Sequence, residues 1–182
     1  MLNPLKNSRA VAFFGVLTGL CLAVQLAPRP PNVEFTSLFS FTVGFLFGSF
    51  VGAFFGSFVM FVNGFFSPWG FAGLNMPFQM LGMSVVGVAG GLYRKYTQKP
   101  SPSETAVLGA ALTVFYDLVT NLGMALFYMI IGTNPTLAVV TALGYGTPFS
   151  LIHIASNIAV FGLAFFPLIK AVSQLLVVEK IG

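Results

Sequence analysis

The chain has 182 residues, of which 7% are charged and 57% are hydrophobic, with a net charge of +4. A soluble domain carries roughly a quarter charged residues, so the composition excludes a soluble enzyme, a nucleic-acid-binding domain and a disordered chain. A disulfide scaffold is excluded as well, because Cys21 is the single cysteine. Residues 35–93 and 118–169 contain no charge at all. The chain is therefore predicted to be an all-α membrane protein.

The apolar runs predict six transmembrane helices, because a spanning helix needs about 20 apolar residues. Their approximate bounds are 10–27, 35–48, 51–66, 76–93, 105–131 and 149–178. The first run follows a basic N-terminus and resembles a signal peptide. However, residues 10–28 are long enough to span, and the Arg29-Pro-Pro-Asn that follows is a poor cleavage site. We therefore expect it to be the first helix of one integral membrane domain, 1–182.

The uncharged run 35–66 is the difficult one, because its 32 residues would form a helix of about 48 Å in a hydrocarbon core of about 30 Å. Two short helices that turn around 48–52 place seven of the eight basic residues on one side, with Arg29 alone on the other. A single helix would divide them six to two. The positive-inside rule favours six helices with both termini in the cytoplasm. Short second and third helices must then be tilted or shielded by neighbours.

The topology assigns a side to each connecting segment. Segments 28–34, 67–75 and 132–148 are expected outside, and the Pro/Ser-rich segment 93–104 is expected in the cytoplasm. The fifth and sixth helices are thus predicted to run antiparallel, joined by an outer segment of 17 residues.

Small residues recur every four positions on several predicted helices, a spacing that lets helix backbones approach closely in a membrane. For the Gly pairs 44/48, 52/56 and 87/91 we expect packing within the monomer. Gly15, Gly19 and Ala23 form a stripe along the first helix. Packing within the monomer and docking to another subunit are equally open for this stripe.

Polar side chains within the predicted spans cluster towards the outer half, and such residues tend to be functional. Asp117 and Asn121 are four apart on the fifth helix, and His153 and Asn157 are four apart on the sixth. We predict that they form the floor of an outward-open pocket with an aromatic rim. The full set of candidate substrate-binding residues is Asp117, Asn121, His153, Asn157, Gln79, Asn75, Asn63, Trp69, Tyr128 and Tyr145.

Each candidate also has a structural alternative. The amides could join neighbouring helices, the histidine could be a packing residue, and the aromatic residues could form an interfacial belt. Asp117 needs a partner or a proton, because an unpaired carboxylate in a bundle is costly. His153, Asn157, Tyr116 or a ligand could supply that partner.

Signatures of catalysis are missing from the sequence. It has no Ser/His/Asp order, no His-Glu-x-x-His, no second histidine for a metal site and no Walker A loop. We therefore expect no enzyme activity, no metal and no cofactor in this chain.

Several segments together make the sequence similar to the substrate-binding S component of energy-coupling factor (ECF) vitamin transporters. They are the small-residue first helix (10–23), Pro-Asn-Val-Glu-Phe (31–35), Asn-Gly-Phe-Phe-Ser-Pro-Trp-Gly (63–70), Tyr-Asp-Leu-Val-Thr-Asn (116–121) and Pro-Phe-Ser-Leu-Ile-His-Ile-Ala-Ser-Asn (148–157). Short second and third helices are also typical of that family.

The resemblance implies a multi-pass protein of a prokaryotic cytoplasmic membrane that captures a vitamin or a vitamin-like heterocycle with high affinity. It implies two kinds of partner: a transmembrane coupling subunit, which would dock on the stripe of the first helix, and two cytoplasmic ATPase subunits, which would use the ATP. It assigns no ligand residue, because these differ between vitamin subfamilies. The alternative is a homo-oligomeric channel or a self-sufficient secondary carrier for a small polar solute, and either would need a polar path to the cytoplasmic face.

Overall fold

The computed structural model describes residues 8–177, and within them the chain is helical without strands. Lys6 and Lys180, two of the basic residues that were predicted to lie in the cytoplasm, are outside this range. So is residue 178, the predicted end of the sixth helix. The helices are α1 (Ser8–Leu26), α2 (Thr36–Phe47), α3 (Ser49–Phe66), α4 (Met76–Tyr96), α5 (Pro102–Ile130) and α6 (Pro135–Val177), with a short 3-10 turn at Gly73–Asn75.

Four of these helices, α3 to α6, are long and apolar enough to cross a membrane. The all-α class and the membrane character of the chain therefore agree with the prediction. The third helix was predicted to be short, but α3 has 18 residues and is long enough to span. By contrast, α2 has 12 residues and extends about 18 Å. A helix of that length cannot cross a hydrocarbon core of about 30 Å by itself.

The short helix α2 lies in the centre of the bundle. Eleven of its 12 residues are buried, including the polar side chains of Ser40 and Thr42. Its neighbours are α1, α3, α4, α5 and α6. The bundle thus shields α2, as expected for a short helix whose ends would otherwise leave backbone groups in lipid.

Glycines set the close packing of α2, α3 and α4. Gly48 alone separates α2 from α3, and its φ of 102° is a conformation that side chains rarely adopt. A Cβ at Gly44 or Gly52 would collide with the carbonyl of Gly87. The expected packing of these small residues within the monomer is therefore observed, except at Gly48, which is a turn residue.

The connection between α5 and α6 differs from the prediction. The expected outer segment 132–148 is helical from Pro135 onwards, so only residues 131–134 join the two helices. Glycines and Pro148 made this stretch look like a loop. Proline is tolerated inside membrane helices because neighbouring groups can satisfy the backbone carbonyl that it leaves without a donor, here that of Gly144.

The start of α5 also differs from the predicted residue 105. Ser101 is the N-cap, and its hydroxyl accepts a hydrogen bond from the Glu104 amide at 3.3 Å. This is the Ser-x-x-Glu spacing of a capping box, with Pro102 at the first helical position.

Candidate functional site: a polar cavity at one end of the bundle

A cavity of about 380 Å³ opens at the end of the bundle where α1 leads into α2 and α3 leads into α4. Its walls come from these two connections and from all the helices except α2. Six of the predicted substrate-binding residues line it: Asn63, Trp69, Asn75, Gln79, Asp117 and His153. The structure thus brings together residues from four separate parts of the sequence.

A buried histidine bridges two carboxylates at the base of the cavity. His153 Nδ1 lies 2.8 Å from Asp117 Oδ1, and His153 Nε2 lies 3.2 Å from Glu34 Oε1. All three residues are buried. The imidazole therefore connects α5, α6 and the segment before α2, and we call these three residues the bridged triad.

The donors and acceptors of the triad constrain its charge. A neutral imidazole has one N–H, whereas an imidazolium has two. If both carboxylates are ionised, both nitrogens of His153 must donate, and the triad carries one net negative charge. Burial alone would raise the pKa of Glu34, which lies outside the helices. Hydrogen bonds from His153 and Ser37 instead hold this pKa below its usual value.

Backbone and side-chain donors behind the triad hold Glu34 in place. The Ser37 amide, in the first turn of α2, donates to Glu34 Oε2 at 3.0 Å. This bond satisfies one of the free N–H groups at a helix start. Asn157 Nδ2 donates to Glu34 Oε1 at 3.3 Å and to Thr113 Oγ1 at 2.8 Å. Asn157 is completely buried, so it supports the site from behind and does not line the cavity.

A second set of hydrogen bonds links α1, α2 and α3 beside the triad. Gln25 Oε1 accepts from the Thr36 hydroxyl at 2.8 Å, and Gln25 Nε2 donates to Asn63 Oδ1 at 3.3 Å. The Asn63 amide is therefore fixed by α1. Part of its role is the interhelical bonding considered as an alternative above.

Several buried polar atoms of the lining residues have no hydrogen-bond partner within the described chain. They are Asp117 Oδ2, Arg29 Nε, Arg29 Nη1, Asn75 Oδ1 and Gln79 Oε1. Buried polar groups in folded proteins are nearly always hydrogen-bonded, to protein or to water. All five atoms belong to residues that border one cavity, where water or a polar ligand could bond them.

Three other predicted residues lie away from the lining. Asn121 faces the first part of α6, where a Cβ at Gly146 would collide with its carboxamide. Tyr145 is 72% exposed, and Tyr128 does not border the cavity. The expected single floor of four residues thus contains only Asp117 and His153. The reason is the helical conformation of 135–148, which covers this side of α5.

The sequence analysis missed Glu34, Arg29 and Gln25 as residues of the site. All three border the cavity. Arg29 and Glu34 were assigned to an outer connecting segment, where charges are usually solvated. The chain has four acidic residues. In so apolar a sequence, the position of Glu34 directly before a predicted span could have marked it as a candidate site residue.

Below Asn157, the buried face of α6 is aromatic. His153, Asn157, Phe161 and Phe165 follow one another at successive turns of α6, and both phenylalanine rings pack on Phe41 with centroid separations of 5.4 Å. These three rings and their neighbours form a buried cluster. The polar network of the cavity therefore ends about one helical turn below His153.

At the far end of the bundle, Arg94 closes the C-terminus of α2. Its Nη1 donates to the carbonyls of Phe45 and Leu46 at 2.9 and 2.8 Å. These carbonyls are among the last four of α2, which have no partner within the helix. A cation at this end also complements the helix dipole.

The stripe on α1 lies on the outer surface of the bundle, away from the other helices. Gly15, Gly19 and Ala23 are exposed, and a Cβ at either glycine would meet no atom within 4 Å. Within the described residues this surface packs against no other helix.

Among residues 8–177 no group of three His, Cys, Asp or Glu side chains is arranged to hold a metal ion. In the triad, both nitrogens of His153 are already directed at carboxylates. Comparisons with protein-family models, curated proteins and solved structures give no match to this chain.

Proposed function

We propose that this chain is a membrane-embedded binding protein that captures a small water-soluble micronutrient, a vitamin or a vitamin-like heterocycle, from outside the cell. The observation that carries the proposal is the cavity with its bridged triad and its five unpartnered polar atoms. A ligand site is typically concave, with a few polar groups that fix orientation. Ionisable residues inside a membrane bundle are a default indication of such a site.

Charge distribution supports an outward-facing cavity. Arg29 borders the cavity, whereas Arg94, Lys95, Lys99 and Lys170 lie towards the other end of the helices. By the positive-inside rule, that basic end faces the cytoplasm. The proposed arrangement is six membrane helices with both termini inside, in which α1 and the short α2 complete the bundle.

Binding is favoured over conduction by the apolar cluster below the cavity. A channel or a self-sufficient carrier needs a polar path to the opposite face, but Phe41, Phe161 and Phe165 fill the position where it would continue. A site that is closed on one side suits a protein that receives its solute and delivers it only after a larger movement.

Such a movement needs a source of energy outside this chain. In the proposal, the chain is the S component of an ECF importer, as the sequence resemblance implies. The exposed stripe of Gly15, Gly19 and Ala23 on the surface of the bundle would contact the transmembrane coupling subunit. Two cytoplasmic ATPase subunits would supply the ATP hydrolysis.

Co-purification and transport together test this function. The tagged chain is purified from its native membrane and weighed by native mass spectrometry, with and without mild activation to release small molecules. We expect a bound small molecule and a complex with a membrane subunit and two ATPases. Proteoliposomes that contain the chain alone should show no net solute flux. Flux without ATPases would instead support a channel or secondary carrier and contradict the proposal.

A further inference from the structure

We infer that the captured solute is amphoteric: it carries an N–H-rich or protonated nitrogen group that binds Asp117 and an acidic group that binds Arg29. This inference rests on the proposed function and specifies the chemical class of its substrate. It follows from two residues of fixed polarity that border the cavity: buried Asp117, an acceptor, and half-buried Arg29, a donor whose Nε and Nη1 atoms are buried.

Asp117 supplies the acceptor. Its Oδ1 is bonded to His153 at 2.8 Å, while its Oδ2 is buried without a partner among the described residues. An ionised carboxylate oxygen can only accept hydrogen bonds. Oδ1 is held by the imidazole, which fixes the carboxylate in place, and Asp117 is one of the residues that border the cavity. A ligand N–H is the group that satisfies it.

Arg29 supplies the donors. Its Nε and Nη1 are buried and unpartnered in the described structure, and a guanidinium can only donate. A carboxylate or a phosphate is the partner that guanidinium donors favour, because hydrogen bonds between ionised groups are the strong ones. Arg29 lies between α1 and α2, whereas Asp117 lies on α5. The two side chains therefore border the cavity from different segments of the chain.

The remaining polar groups adapt to such a ligand without determining its charge. The Gln79 side chain carries both a donor and an acceptor, so it can bond either end of an amphoteric molecule, whereas the Asn75 oxygen lies against Gly123 of α5. Leaving one buried charged group unmatched would cost much more than leaving an amide unmatched. Asp117 and Arg29 therefore dominate selection, and a neutral or singly charged solute would leave one of them without a partner.

The test uses a low-molecular-mass metabolite extract as the probe, so the ligand need not be known beforehand. Ion exchange at acid and at alkaline pH divides the extract into amphoteric, cationic, anionic and neutral fractions. Each fraction is added to the purified, ligand-stripped wild-type chain in detergent, and its melting temperature is measured. We expect the stabilising activity in the amphoteric fraction. The stabilising compound is then isolated by its mass, and its affinity is measured for variants.

Asp117→Asn and Arg29→Gln should each weaken binding of that compound by about ten- to a hundred-fold, as expected for the loss of a hydrogen bond between charged partners. Asp117→Asn keeps an Oδ1 that accepts from His153, so the internal bond can persist. Glu104→Gln and Lys99→Gln make the same chemical changes at exposed positions outside the cavity. They serve as matched controls and should bind like the wild type.

The possible outcomes separate the inference from the proposed function. Stabilisation only by the neutral, the cationic or the anionic fraction would refute the amphoteric class and leave solute capture intact. Amphoteric binding that neither variant weakens would also refute the inference, because Asp117 and Arg29 would then not select the ligand. If no fraction stabilises the wild type, the proposed capture function is itself contradicted. The fractionation requires no variant to fold.

Discussion

Removal of the His153 imidazole is the sharpest perturbation of the bridged triad. In His153→Ala, the carboxylates of Glu34 and Asp117 both lose their charge-assisted hydrogen bond, at 3.2 and 2.8 Å in the wild type. Each such bond contributes about 1.5–3 kcal/mol. Removal of one partner from a buried charged pair typically costs about 3–5 kcal/mol, because it leaves a charge uncompensated. We expect His153→Ala to lower the free energy of unfolding by about 3–5 kcal/mol.

A double-mutant cycle with Asp117→Asn measures the bridge itself. In the Asp117→Asn background, His153 faces only one carboxylate, so its removal should cost about half as much. The expected coupling energy is therefore about 1.5–3 kcal/mol. All four proteins are unfolded by denaturant in the same detergent, without ligand, and the unfolding free energies are compared. Ser156→Ala, on the same helix beside Asn157, loses no side-chain hydrogen bond to any described residue and should change stability by less than about 0.5 kcal/mol.

Additivity would refute this reasoning. If the costs of His153→Ala and Asp117→Asn sum to the cost of the double variant within about 0.5 kcal/mol, the two side chains are energetically independent. The bridge would then have no role in stability, and the charge argument for the triad would fail as well.

Four further outcomes are expected. Gly15→Leu should retain solute binding but lose co-purification of the coupling subunit, because a bulky side chain would hold the partner backbone away from the stripe; wild-type yield of the complex would contradict the docking assignment. Gly87→Ala should destabilise the fold by about 2 kcal/mol or more, because its Cβ would overlap the Gly52 carbonyl, whereas Gly15→Ala, with no atom nearby, should be neutral. Single cysteines at Asn32 and Gln98 should react with impermeant reagents from opposite sides of the membrane, and same-side labelling would overturn the topology. Since the pKa of Glu34 is lower in the folded state, its stabilising effect is present above the usual value of 4.5 and is lost as the pH falls below it; the acid-induced loss of stability should be smaller in Glu34→Gln, and an equal loss in both proteins would exclude this carboxylate as the cause.

The sequence was sufficient to predict the helical class and most helix bounds, because long uncharged runs have few alternatives in a bilayer. It predicted a turn around residues 48–52 from length and charge asymmetry alone, and the structure places this turn at Gly48. It failed at 132–148, where Gly and Pro148 indicate a loop in water but are compatible with a helix inside a bundle. Local composition cannot distinguish these cases, since the environment supplies the missing hydrogen bonds.

Helical periodicity shows which side chains share one face of a helix, and the site could be predicted only to that extent. Spacing of four placed Asp117 and His153 on inward faces, and the requirement for a partner limited the choice to a few groups. The pairing with Glu34 spans 119 positions of sequence, and no periodicity connects a residue before α2 with the middle of α6. Asn157 shows the same limit. It shares a face with His153, yet one further turn places it behind the cavity wall.

The composition of the triad supports its proposed role in ligand binding. The chain has one histidine and four acidic residues, and three of these five side chains meet at one buried point. Replacing a buried ionic cluster by well-packed apolar residues is often neutral or stabilising, because desolvation of the charges is avoided. The apolar packing of Phe41, Phe161 and Phe165 one turn below shows that these helices can hold together without charge. A costly charged cluster, placed beside a cavity in which one Asp117 oxygen has no partner among the described residues, therefore fits the proposed recognition of a polar solute.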